Sequence, residues 1–476
     1  MYIKSISLEN YRGFRDNVYI DFWNGSDQSP RMNIFVGENG GGKSTILDAI
    51  AKSISWFPAR VQSSSRQGQF IENDEINNFE NYARINLEVG RIYAKLEIDS
   101  FPDDLFSFID EDDYNSKSFE FKSKTPVSWS IARTKKGSPI KTRSDFSQLN
   151  KITKEIQDNL QFLNAEVTLP SIMYYGTNRH ISKSNGRFRN RWSFNGSNAL
   201  EEYSKPLSGD NGFQNFFEWF EELENYENQR FRDLYRDSNN SGLKAIESLD
   251  NFEEDPRLHF TRKAVFEFLD NFTEMHIDRG SSNRIKVMKN AKWLNIDQLS
   301  QGEKSLLVLV GDIARTLSVM NPNSQKPLDS PGIVLIDEVD VHLHPSWQVS
   351  LPQKLSSIFP NCQFFITTHS PLVLSNAQNC NIFAVAENEI SKVDGTYGEN
   401  ASYILETVLG ANPMDSSVLE QSDRIQSFLD SDDLVKAKEK FYILEKEINT
   451  KGQLYNTLRN KILLSEFRLK DRITDG

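Results

Sequence analysis

Asn33-Ile-Phe-Val-Gly-Glu-Asn-Gly-Gly-Gly-Lys-Ser-Thr45 is the stretch that decides the fold of this chain. Gly37 to Ser44 satisfies G-x-x-x-x-G-K-[ST], the spacing of a phosphate-binding loop. Ile34, Phe35 and Val36 precede it as a buried strand would, and Ile46-Leu-Asp-Ala-Ile-Ala follows it as a helix. Strand, glycine loop and helix is the order the chemistry needs. Glycines let successive backbone N–H groups turn toward a phosphate chain, and the helix N-terminus adds its partial positive charge. Lys43 is placed to reach the β- and γ-phosphates and Ser44 to hold Mg²⁺. Gly37, Asn39, Gly40, Gly42, Lys43, Ser44 and Thr45 are the candidate nucleotide contacts. The bland alternative is a glycine-rich turn of no function.

A second set of groups lies near the other end of the chain. Gly332-Ile-Val-Leu-Ile-Asp-Glu338 is an apolar strand ending in two carboxylates. In a phosphate-loop protein the first, Asp337, belongs beside Mg²⁺, and the second, Glu338, is free to orient and activate a water. Phe364-Phe-Ile-Thr-Thr-His-Ser-Pro371 is another buried strand. Its His369 falls at the C-terminal edge of a parallel strand, where ligands of open α/β sheets sit, and is read as a γ-phosphate sensor. Leu299-Ser-Gln-Gly-Glu303 opens a helix with a serine and a glycine, which makes a second anion site at Ser300 and Gly302. One nucleotide needs only one glycine loop. The simplest explanation is that the second helix start faces a γ-phosphate held by another protomer, so the chain is expected to be at least a dimer.

Composition sets the outer limits. With 476 residues the chain can hold two to four domains. An apolar fraction of 38% and a mean hydropathy of −0.55 describe a soluble protein with polar insertions. A net charge of −12 argues against a surface that coats nucleic acid, though not against a local basic groove. Cys362 and Cys380 offer no disulfide framework and no metal spacing, which fits a reducing cytoplasm. Met1-Tyr-Ile-Lys-Ser-Ile-Ser-Leu8 reads as a strand rather than a signal peptide, and no apolar run is long enough to span a membrane.

Taken in order, residues 2–22 predict two strands and a tight turn, and residues 82–98 alternate around Gly90 as a hairpin would. Phe119 to Arg133 is expected to continue that sheet. Asp145 to Phe162 is helical, and Leu169 to Tyr175 is a short strand. Residues 195–284 read as a mostly helical insertion between an N-terminal lobe, 1–194, and a second lobe, 285–400. In the insertion Phe213, Phe216, Phe217, Phe220 and Leu223 share one helical stripe while Trp219 and Tyr226 share another. Such a helix is packed within its domain or docked on a partner. From Asp415 to Leu469, within a C-terminal region 401–476, heptad spacing and a break at Lys451-Gly452 predict a helical hairpin.

These motifs together resemble the ABC-type ATPases. Gly37–Ser44, Leu299–Glu303, Ile333–Glu338 and His369 match their Walker A, signature, Walker B and switch-histidine motifs. Leu8-Glu-Asn-Tyr-Arg-Gly-Phe14 looks like the N-terminal strand and turn of the SMC, RecF and OLD-like branch, whose basic residue, here Arg12, lies near the phosphates. Asp337-Glu-Val-Asp-Val-His-Leu-His-Pro345 is similar to that branch too, with Asp340 at the start of its D-loop. The resemblance covers roughly residues 1–60 and 285–390. The long heptad arms of SMC proteins and the toprim acids of OLD nucleases are absent from the sequence. Met173-Tyr-Tyr-Gly-Thr-Asn-Arg179, Trp219–Asn228 and Leu343-His-Pro-Ser-Trp-Gln348 look like the PtuA-type ATPases of Septu and some retron anti-phage systems.

The resemblance implies an α/β, RecA-like P-loop core with an antiparallel β subdomain, ATP and Mg²⁺ as cofactors, and a partner HNH nuclease of PtuB type under ATP control. It also implies assemblies beyond a simple dimer. A Q-loop glutamine is not assigned, with Gln67 and Gln69 as candidates. Two basic tracts, Arg133–Arg143 and Arg179–Arg191, are candidate nucleic-acid contacts or solvated loops. Two rival readings remain: a RecF-type repair ATPase acting directly on DNA, and an ATP-binding scaffold that hydrolyses slowly or not at all.

Overall fold

β1 (Ile3–Glu9) and β2 (Val18–Asp21) pair antiparallel across a turn in which Asn10 (φ 55°) and Arg12 (φ 50°) are left-handed. The computed structural model describes residues 1–25, 31–90, 92–97, 118–122, 126–163, 166–177, 199–204, 207, 214–241, 254–279, 284–387, 389–412, 414–450 and 452–474. They form two compact units, Met1–Glu399 and Asn400–Gly476. The first unit takes in both expected lobes and the insertion between them.

The strand before the glycine loop is β3 (Met32–Val36), every residue of it buried, and α1 (Lys43–Ile54) and α2 (Trp56–Gln62) follow. Next come β4 (Tyr82–Val89), β5 (Tyr93–Glu97), β6 (Ser118–Lys122) and β7 (Val127–Thr134). The hairpin expected around Gly90 does not form. β4 lies between β1 and β7 in one antiparallel sheet, whereas β5 lies between β6 and β8 (Glu166–Thr168) in another. Alternation identifies a strand but carries no information about its partner. Gly90 instead donates its N–H to the carbonyl of Tyr2, and a Cβ there would sit 2.1 Å from the Tyr2 ring. Phe119 to Arg133 is accordingly two strands in two sheets, not one continuation.

α3 (Ser147–Leu163) leads to β9 (Ser171–Tyr175), and α4 (Ala199–Glu202), α5 (Gln214–Ser241) and α6 (Pro256–Phe268) follow. On α5, Phe216, Trp219, Phe220 and Leu223 are buried, and Tyr226 is 42% exposed. Phe216 packs so closely on Gly311 that a Cβ there would lie 2.7 Å from the ring, which favours the packed reading for this end of the helix. Phe213 lies outside the described residues. The insertion is not all helical: β10 (Phe272–Asp278) falls inside it and pairs with β11 (Arg284–Lys289), itself paired with β12 (Lys292–Asn295).

α7 (Gln301–Met320), β13 (Gly332–Ile336), α8 (Pro345–Ile358), β14 (Cys362–Thr368), α9 (Pro371–Ser375), β15 (Cys380–Ala386) and β16 (Glu389–Val393) complete the first unit. Its central sheet has the order β16-β15-β3-β14-β13-β9, parallel except for β16. β3, β13 and β14 are buried throughout, as strands with helices on both faces must be. Each large apolar side chain so buried contributes about 1.5–3 kcal/mol. Register then aligns their ends: Val36 lies opposite Thr368, and Ile336 opposite Ile366.

The second unit is α10 (Ala401–Thr407), α11 (Ser416–Asp430), α12 (Leu434–Glu445) and α13 (Gln453–Thr474). The expected hairpin is therefore a bundle, because Asp432 (φ 59°) breaks the helical run ahead of the predicted break at Lys451-Gly452. Ala437 and Leu444 of the heptad stripe are buried with Ile425, Leu429, Leu458 and Ile462.

Candidate nucleotide site

The parallel sheet gathers the candidate residues at one edge. Gly37, Asp337 and His369 each follow the last residue of a neighbouring strand, β3, β13 and β14, at the carboxyl ends where α/β sheets bind ligands. α1 begins at Lys43 with Gly42 as a left-handed cap (φ 105°), so its free amides face the loop. Within that loop Lys43 Nζ donates to the carbonyls of Gly37 (3.0 Å) and Glu38 (2.7 Å). Burial, against the pull of Asp337, Glu338 and Asp340, lowers the Lys43 pKa. Among the described residues the ammonium thus bonds the loop's own carbonyls, which it can exchange for phosphate oxygens.

Gly37 has a reason beyond the phosphate. Its φ is 142°, and a Cβ would lie 2.0 Å from the carbonyl oxygen of Val385 on β15. Gly37→Ala is expected to cost about 1–3 kcal/mol from the backbone conformation alone, before any clash. Loss of binding of a fluorescent ATP analogue together with a lowered unfolding temperature is the expected result; unchanged binding and stability would contradict this geometry.

Ser44 Oγ donates to Asp337 Oδ1 at 3.1 Å, and Thr367 Oγ1 donates to the same oxygen at 2.5 Å. A hydroxyl and a carboxylate side by side are the hard oxygen donors that suit Mg²⁺, so the residues present fit that ion. Thr367 also accepts the amide of Glu338 at 2.7 Å, which holds Glu338 in a left-handed conformation (φ 46°). Reading the sequence missed Thr367, although it stands two residues before His369. Its side chain joins β14 to the end of β13, a contact that only strand order supplies.

Thr368 Oγ1 donates to Asp340 Oδ1 at 2.5 Å and receives the amide of Ser370, which ties the start of the candidate D-loop to the histidine strand. Burial, and then the charge of Lys43, lowers the His369 pKa, so the imidazole is neutral at pH 7. A neutral ring can donate to a phosphate oxygen without a charge of its own.

Arg12 stands one helical turn behind the loop. Its guanidinium donates to Asp48 Oδ2 (2.6 Å) on α1 and to Glu75 Oε1 (2.7 Å). Tyr174 donates to the other Asp48 oxygen at 2.7 Å. Gln69 donates its carboxamide to the carbonyl of Leu207, and Gln67 is exposed, so neither stands out as the Q-loop residue. In the first basic tract Arg133 bonds Asn73, Lys135 bonds the carbonyls of Asn77 and Asn78, and Lys141 lies over Tyr82. Those cations brace loops. The second tract, from Arg179 to Arg191, lies outside the described residues.

The second helix start is built separately. Ser300 caps α7 and forms a reciprocal capping box with Glu303. Every hydrogen bond of Ser300 among the described residues stays within this helix start: its amide and hydroxyl donate to Glu303 Oε2, its hydroxyl accepts from the Glu303 amide, and its carbonyl accepts from Lys304. Gly302 meets the loop after β13, where a Cβ would lie 2.5 Å from the carbonyl oxygen of His342.

Fold and site together define a P-loop nucleotide-binding protein with an ABC-like core, in which the Walker A and Walker B strands are separated by the histidine strand. Residues 1–374 match the AAA ATPase domain family. The chain belongs to that family and is an ATPase. It is similar to the retron Ec83 probable ATPase of Escherichia coli, 32% identical over 85% of this chain and 76% of that protein. The retron Vc95 probable ATPase of Vibrio cholerae is 26% identical over 84% of this chain and 77% of its own length. Septu protein PtuA of Bacillus mycoides is 24% identical over 82% of this chain but only 41% of that protein. Among solved structures, the Smc head bound to the C-winged helix domain of ScpA aligns with 83% of this chain at 17% identity and a TM-score of 0.43.

Proposed function

We propose that this chain is the ATPase subunit of an anti-phage defence complex, that it hydrolyses ATP in a site shared by two protomers, and that it thereby controls a partner HNH nuclease. The observation that carries the shared site is the pair of helix starts. Lys43, Ser44, Asp337 and His369 gather at one end of the sheet, while among the described residues the bonds of Ser300 stay within its own helix start. The names of the retron and Septu relatives support the defence role. No helix among the described residues is long and apolar enough to cross a membrane.

In this reading Gly37, Asn39, Gly40, Gly42, Lys43 and Thr45 bind the phosphates, and Ser44 and Asp337 hold Mg²⁺. The ion, when bound, neutralises charge on the β- and γ-phosphates. Glu338 takes the proton of the attacking water, and His369 donates to the γ-phosphate. Ser300 and Gly302 complete the site from the opposite protomer, and Asp340 begins the D-loop beside it. Arg12 supports α1 through Asp48 and contacts the phosphates if that pair opens.

The test has two parts. Glu338→Gln, examined by analytical ultracentrifugation, should gain mass or change shape when ATP is added; no change would sink closure between protomers. A tagged pulldown from the native host, with and without ATP, should recover a small HNH nuclease whose retention depends on nucleotide. Recovery of replication and repair proteins instead would favour direct action on DNA.

A further inference from the structure

We propose that Lys289 is a positioning residue for the anion site at Ser300: it neutralises Glu303, so that this helix start can accept the phosphate of a nucleotide bound to a second copy of the chain. The assignment rests on the shared-site reading above.

Ser300 has two tasks that conflict. As helix cap its hydroxyl donates to Glu303 Oε2 at 2.9 Å, and its amide donates to the same oxygen at 3.0 Å. As an anion site it must receive a phosphate bearing several negative charges. The amides of Gln301 and Gly302 have no partner within the helix, as at any helix start, and Gln301 is exposed at the surface where that phosphate would arrive. The Glu303 carboxylate stands directly behind them. Its residue is only 4% exposed, so water screens it poorly. Uncompensated, it would repel the anion the site is built to take.

Compensation arrives from another element. Lys289, the last residue of β11, places Nζ 2.5 Å from Glu303 Oε1, the oxygen that Ser300 does not use. Burial would raise the Glu303 pKa, but the Lys289 bond and the Ser300 bonds outweigh it and hold the carboxyl low. The pair therefore has no net charge at neutral pH. Lys289 itself is held in place by the β11–β12 turn, where Asn290 (φ 49°) and Ala291 (φ 60°) are both left-handed and Lys289 lies opposite Lys292. Two such residues make the tight hairpin turn that fixes register. A capping box needs no lysine, so the ion pair answers to charge rather than to the helix start.

The measurement is ATP turnover as a function of protein concentration, with binding of a fluorescent ATP analogue measured separately. In Lys289→Met the analogue should bind as in the unaltered protein, because the Walker A loop is untouched. The protein concentration at half-maximal turnover should rise about tenfold or more, since an unpaired buried charge now faces the incoming anion. Lys289→Arg should restore it. Adding Glu303→Gln to Lys289→Met should also restore it, because Gln keeps the capping box and removes the charge. A lost structural strut would not be mended by removing its second half. Should Lys289→Met fail to fold, Glu303→Gln alone serves, and should lower the half-maximal concentration.

An unaltered half-maximal concentration in Lys289→Met, or a double variant no better than the single one, would overturn the assignment. So would a raised concentration in Glu303→Gln. Mixing Lys43→Ala with Ser300→Arg tests the premise separately, since each mixed pair keeps one intact shared site. Recovered activity beside an indifferent Lys289 removes only Lys289. No recovery removes the shared site, and the role of Lys289 with it.

Discussion

Glu338→Gln is expected to reduce ATP turnover by about 10²–10⁴-fold, the contribution of a well-placed general base, while ATP binding is retained. The geometry gives the reason. Asp337 is engaged by Ser44 and Thr367, which commits its carboxylate to the side of the site proposed for Mg²⁺. Glu338, the next residue, is turned away from the strand by a left-handed backbone that the Thr367 hydroxyl secures. A residue in that conformation costs of order 1–3 kcal/mol and persists where the surroundings enforce it, here through the Thr367 bond. Steady-state phosphate release and equilibrium binding of an ATP analogue check the two halves of the expectation. Turnover within threefold of the unaltered protein would show that Glu338 is not the base. It would also revive the reading of the chain as a slow scaffold.

Arg315→Met is expected to destabilise the first unit by about 3–5 kcal/mol, the cost of leaving buried charge without its partner. Arg315 lies on α7 with its side chain 5% exposed, its Nε 2.6 Å from Asp312 Oδ1 and its Nη2 2.8 Å from Glu202 Oε1. Tyr175 donates to the second oxygen of Asp312 at 2.9 Å, and Trp219 of α5 lies beneath the guanidinium. One cation therefore joins the signature helix to the insertion and to β9. The carbonyl of Tyr175 accepts the amide of Asp337, so the disturbance should reach the Mg²⁺ side of the site. Urea unfolding followed by tryptophan fluorescence should show the lost stability, and adding Asp312→Asn with Glu202→Gln should recover part of it. An unchanged unfolding midpoint in Arg315→Met would refute the cluster as a fastening.

The local motifs and the parallel strands of the central sheet, though not their order, were legible in the sequence for the same reason. Glycine loops, apolar strands ending in acids and a capped helix start are short-range patterns, each set by backbone chemistry within about ten residues. Ile34 to Thr45 reads as strand, loop and helix from its own residues, and the structure has them as β3, the loop and α1. The β subdomain was legible only as strands. Residues 82–98 alternate equally well for a hairpin and for two separate sheets, and the choice lies in distant partners: β4 pairs with β1 and β7, and β5 with β6 and β8.

The sequence by itself determined which groups could meet a nucleotide: Lys43, Ser44, Asp337, Glu338, His369 and Ser300 all stand in recognisable local settings. Tertiary structure alone decided what holds them. Thr367 between the two acids, Asp48 against Arg12, Arg315 against Glu202, and Lys289 against Glu303 all join residues from different elements. Motif spacing records the chemistry a backbone segment can perform. A buried charge or hydroxyl finds its partner through packing, and its neighbour across the sheet order leaves no periodic trace in the chain.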